Sequence, residues 1–157
     1  MSEPDTSPAL AEQFKESRGQ PIRYNDVLVY MAYRVPVDTT LSGFQVEFLE
    51  SMGSPVQGVC VQLDKGNLVV EGSVNPGLVL WADSAPPVVQ VAVDAENGAN
   101  LQIWNCWRGR FGERAAWLVN SGMVCEVLHR DEFIFSCSSG PGGVNFSDLK
   151  FRLKLDR

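Results

Sequence analysis

Histidine is almost missing from this 157-residue chain, where His129 stands alone. Cys-x-x-Cys is absent as well, so the usual zinc constellations lack a ligand set and no metal is expected. No Gly-x-Ser-x-Gly elbow occurs, and no pair of carboxylates stands at a spacing that marks acid/base work. The glycine-rich run Ser138-Ser139-Gly140-Pro141-Gly142-Gly143 lacks the lysine and the following helix of a phosphate loop, and reads as a plain connection. No cofactor is expected. Basic charge is also scarce, with 13 Lys and Arg against 19 Asp and Glu. An acidic chain repels a polyphosphate backbone, which argues against nucleic acid. No apolar run reaches the roughly 18 residues a membrane helix needs, and no basic-then-apolar leader opens the chain. The expectation is a cytoplasmic protein, away from membranes, whose Cys60, Cys106, Cys125 and Cys137 stay reduced.

What is present is globular. Hydrophobic residues make up 45% and charged residues 20%, enough for one domain with its own core. The net charge of −6 is uneven. Residues 1–100 carry 5 basic and 13 acidic side chains, a net −8, and residues 101–157 carry 8 and 6, a net +2.

Residues 1–20 form an N-terminal arm, either a short helix or disordered. Ser7 is a candidate cap with Pro8 at the first helical position, and Leu10 and Phe14, four apart, share a face. Residues 21–157 then switch to a period of two. Val27–Tyr33 reads as one strand. Phe44, Val46 and Phe48 alternate with Gln45 and Glu47. Val59–Glu71 reads as a hairpin around Asp64-Lys65-Gly66-Asn67. Leu78–Trp81, Val88–Val93 and Asn100–Arg108 follow, then Ala115–Val119. Met123–Leu128 and Glu132–Cys137 pair across His129, and Asp148–Leu155 closes with Leu149, Phe151, Leu153 and Leu155 on one side. About ten short strands at such intervals predict an all-β fold, a jelly-roll-like antiparallel sandwich, with a closed barrel as the alternative.

The stretch Leu101–Arg108 carries the least ordinary chemistry. Parity puts Leu101, Ile103, Asn105 and Trp107 on one face, and Gln102, Trp104, Cys106 and Arg108 on the other. An exposed Trp104 beside Gln102, Arg108 and Arg110, with Arg114 nearby, would make a platform for a sugar or aromatic ligand. The alternative is that both tryptophans are core. Asn105 on an apolar face suggests a bulge or a strand end unless it finds partners.

The leading expectation is therefore a non-catalytic binding or interaction domain for a small molecule or protein. The rival is a small enzyme with a pocket using His129, the carboxylates Glu126 and Asp131, and Cys125 or Cys137 as a thiolate beside a base. A third reading is self-association into a homo-oligomer, with the Lys150/Arg152/Lys154 row as a seam or a blocker.

Overall fold

The computed structural model describes residues 8–157. Among the described residues a single helix, α1 (Leu10–Glu16), precedes fourteen strands. These are β1 (Ile22–Tyr24), β2 (Val27–Tyr30), β3 (Tyr33–Pro36), β4 (Gly43–Ser51), β5 (Gln57–Leu63), β6 (Gly66–Val70) and β7 (Ser73–Asn75). Then come β8 (Gly77–Trp81), β9 (Val88–Ala95), β10 (Asn100–Arg108), β11 (Arg114–Ala115), β12 (Gly122–His129), β13 (Glu132–Ser138) and β14 (Leu149–Asp156).

All pairings are antiparallel and make two sheets. The larger runs β1-β2-β12-β13-β14-β4-β9-β6-β7. The smaller runs β11-β10-β5-β8, with β3 also on β10. Both sheets have free ends, so the fold is a sandwich and the barrel alternative falls. The core fills from both inner faces. Phe44, Phe135, Phe151 and Leu153 of the large sheet meet Leu101 and Ile103 of the small one, all fully buried. Phe135 stacks on Phe151 with centroids 5.0 Å apart. Each such side chain contributes roughly 1.5–3 kcal/mol by leaving water.

The strand count exceeds the sequence reading for identifiable reasons. Val27–Tyr33 is not one strand. The chain bends at Met31-Ala32, and β2 joins the large sheet while β3 joins the small one. Val59–Glu71 is not a hairpin. β5 pairs with β10 and β8, β6 pairs with β9 and β7, and Asp64-Lys65 is a corner between sheets. Ala115–Val119 is not a strand beyond Ala115, because Trp117 and Val119 take φ of +59° and +47°. The clean alternations hold: Leu149, Phe151, Leu153 and Leu155 are all buried. The row opposite them is not an edge. β14 lies between β13 and β4, and Arg152 reaches Glu132 at 3.4 Å and Glu47 at 3.9 Å.

Ser7 lies outside the described residues. The helix starts without a side-chain cap, after Ala9. Leu10 and Phe14 are buried in a second cluster with Ile22 and Val29. A seven-residue helix is too short to persist alone, so its order comes from this docking and from the Ala11 N–H donating to the Val119 carbonyl at 2.8 Å.

Candidate functional site

Register across the small sheet sorts its side chains into two faces. Leu101 sits opposite Leu63, Ile103 opposite Val61, and Asn105 opposite Val59, all looking into the sandwich. Gln102 opposite Gln62, Trp104 opposite Cys60, and Cys106 opposite Gly58 form the outer face. Arg34 of β3 stands against Gln102, and Arg114 of β11 against Arg108. The parity split of β10 is therefore real, but its outer face does not simply see water. Trp104 is 6% exposed and Cys106 is fully buried, which corrects the expectation of an exposed indole there. Asn105, too, is inside a regular strand rather than at a bulge. It is buried, and its amide donates to the Ser138 carbonyl at 2.9 Å.

The cover over Trp104 is the segment after β11. The Trp117 ring lies on Trp104, with centroids 4.9 Å apart and planes at 31°. Its indole N–H donates to the Met31 carbonyl at 3.1 Å. Met31 lies in the bend between β2 and β3, outside either ladder, so the break in one element is what fixes the loop of another. The left-handed φ at Trp117 and Val119 is costly for bulky and β-branched residues. The stack, this bond and the docking of Ala11 on Val119 hold it in place.

Trp117 remains 41% exposed on its other side. There it borders an open groove of about 670 Å³ with Arg18, Tyr30, Tyr33, Arg34 and Gln102. The groove continues under α1 into a second hollow of about 480 Å³ that shares Trp117, Arg18 and Met31 and adds Phe14 and Lys15. Three cations and no carboxylate line the joined groove, in a chain of net charge −6. Tyr30 and Tyr33 meet edge to face at 5.1 Å. Burial raises both phenol pKa values above the usual range, so both keep a donatable proton at neutral pH.

The four residues singled out on β10 and beside it do not form one site. Gln102 lies in this groove and Trp104 beneath it. Arg108 lies six residues on, about 20 Å along the strand. Its guanidinium sits 4.8 Å over the Trp81 ring and 3.1 Å from Asp83. Arg108 and Arg110 border a separate hollow of about 450 Å³ with Pro55, Trp107 and Pro141. Arg18, Tyr30, Tyr33, Arg34 and Trp117 escaped the sequence reading, because nothing in their local spacing shows that a bend and a loop bring them together.

The residues of the enzymatic reading are dispersed. His129 is exposed at the β12–β13 turn, 2.7 Å from Glu132, and lines none of the hollows described here. Cys125 lies four residues back along β12, about 13 Å away, and faces Phe135 across the ladder. Burial pushes its thiol up to about 11, so it is protonated at neutral pH. Cys137 is fully buried opposite Met123, and burial pushes its thiol well up. Glu126 is exposed. Asp131 holds Arg157 at 2.7 Å. The histidine is not brought beside either thiol. The glycine-rich loop is structural: Ser139 donates from N–H and hydroxyl to Asp148 at 3.0 and 2.9 Å. Gly140 lies so close under Trp107 that a Cβ would sit 2.3 Å from its ring.

Among the described residues no group of three or more His, Cys, Asp or Glu could hold a metal ion, and no helix is long and apolar enough to cross a membrane. Comparison with protein-family models, with curated proteins and with solved structures finds no match.

Proposed function

We propose that this protein is a non-catalytic binding domain, and that the groove between α1, the β2–β3 bend and Trp117 takes a small anionic ligand carrying a flat ring. The observation that carries the reading is the all-cationic groove on an acidic chain, with Lys15, Arg18 and Arg34 beside the exposed side of Trp117. An anion gains from several guanidinium donors, and an indole already fixed by a stack and a hydrogen bond offers its face with little further ordering cost. The tyrosine hydroxyls and the Gln102 amide supply orientation. The sandwich is the scaffold, and the ligand is met by its loops and one sheet edge.

Titration with nucleoside monophosphates, aromatic carboxylates and sugar phosphates, followed by tryptophan fluorescence and calorimetry, tests this reading. Binding of at least one class is expected. Arg34→Ala should weaken it by ~1.5–3 kcal/mol, roughly 10–100-fold, as expected for a charge-assisted contact. Trp117→Ala should weaken it further. A ligand whose affinity is indifferent to both substitutions binds elsewhere, and the groove assignment is then wrong.

A further inference from the structure

Cys60 and Cys106 are the two thiols on the outer face of the small sheet. They lie on neighbouring strands, β5 and β10, at diagonal positions: Cys60 faces Trp104, and Cys106 faces Gly58 two residues along. The missing side chain at Gly58 is what lets the Cys106 thiol lean across. Its Sγ lies only 3.0 Å from where a Cβ would stand. The two thiols act on each other, Cys106 lowering Cys60 and Cys60 raising Cys106. Cys60, though only 1% exposed, borders a cleft of about 490 Å³ formed with Gln62, Pro76, Val79, Trp104 and Arg114. Cys106 does not line it. One thiol therefore meets the cleft beside a guanidinium, and the second stands directly behind it.

We propose that Cys60 and Cys106 are a peroxide-responsive dithiol, with Cys60 as the attacking sulfur and Cys106 as the resolving one. The chemistry balances with a peroxide as the sole co-reactant. The Cys60 thiolate attacks one peroxide oxygen, the O–O bond breaks, and the departing oxygen leaves as water after taking a proton. Cys60 becomes a sulfenic acid. The Cys106 sulfur then attacks the Cys60 sulfur, an S–S bond forms, the S–O bond breaks, and a second water leaves with the Cys106 proton. Two thiols give up two electrons to one peroxide, and a dithiol reductant reverses the change.

The electrostatics fall in the same order. The hydrogen bond from Cys106, then the charge of Arg114, lower the Cys60 thiol against the opposing effect of burial. The bond to Cys60, with burial next, raises Cys106. Diagonal neighbours in an antiparallel ladder stand further apart than an unstrained disulfide prefers. The closed bond therefore strains β5 against β10 and is readily reduced, which suits a switch rather than a staple. Cys125 and Cys137 stand in the same diagonal relation across β12 and β13, but no cation acts on either, and burial raises both thiols.

The test needs the intact protein, a small excess of hydrogen peroxide, and peptide mapping by mass spectrometry with free thiols blocked. The expected product is monomeric, has lost two hydrogens, and contains a single link joining the Cys60 and Cys106 peptides; dithiothreitol reverses it. In Cys106→Ser the reaction should stop at a Cys60 sulfenic acid that dimedone traps. In Cys60→Ser, Cys106 should stay reduced. A link involving Cys125 or Cys137, a link between two chains, or oxidation of Cys125 while Cys60 remains a thiol would overturn the proposal. The mapping on the unaltered protein decides this even if a serine variant does not fold.

Discussion

Asn105 shows how much one polar side chain can specify in an apolar layer. Its amide reaches from the middle of β10 to the Ser138 carbonyl at the end of β13, so it ties the two sheets together. Asn105→Ala removes that buried bond and should cost ~0.5–1.5 kcal/mol in urea unfolding, with the dependence on urea unchanged. Gly140 is tighter still. Gly140→Ala drives a methyl against both the Trp107 ring and the Leu118 carbonyl and should cost ~1–3 kcal/mol, since ring and backbone must both shift to admit it. At this scale the sequence was half readable. The inward row of Leu101, Ile103 and Trp107 follows from a period of two. The burial of Trp104 does not, because what covers it is an indole thirteen positions away on a loop with left-handed backbone.

Elements were legible where alternation was strict and opaque where the chain changes sheet. β4, β9, β13 and β14 announce themselves because one face is apolar and the other is not. The bends at Met31-Ala32 and Asp64-Lys65 fall within continuous β-forming runs, and propensity carries no mark of a switch between layers. The groove depends on the first of these bends and on α1, so its residues were hidden for the same reason. Since α1 is held by packing rather than by its own propensity, Leu10→Ala should loosen it alone. Amide exchange over residues 10–16 is expected to speed up and groove binding to weaken, while exchange in β13 and β14 keeps its protection. Uniformly faster exchange through the large sheet would instead show that the helix is part of the folding unit.

At the scale of the whole molecule, three parts of the chain far apart in sequence are tied by charge. Arg157 reaches Asp38 at 2.8 Å and Asp131 at 2.7 Å, joining the C-terminal residue to the β3–β4 connection and to the β12–β13 turn. The Thr40 hydroxyl, its backbone N–H and then Arg157 hold the Asp38 carboxyl below its ordinary value of 3.8. A depressed folded value means that the contribution is present above 3.8 and fades as pH falls through the lower folded one. Thr40→Ala should therefore reduce stability at neutral pH slightly and leave it unchanged once Asp38 is protonated in both states, which paired unfolding curves at neutral and strongly acid pH will show. The stacked indoles of Trp104 and Trp117 have an optical consequence as well. Two indoles with centroids 4.9 Å apart and planes inclined at 31° couple their excitations, so the protein should carry a paired positive and negative band in circular dichroism, superimposed on a weak β-sheet spectrum. Trp117→Phe should erase that pair while leaving the sheet signal, and a ligand entering the groove would announce itself by rotating one dipole against the other.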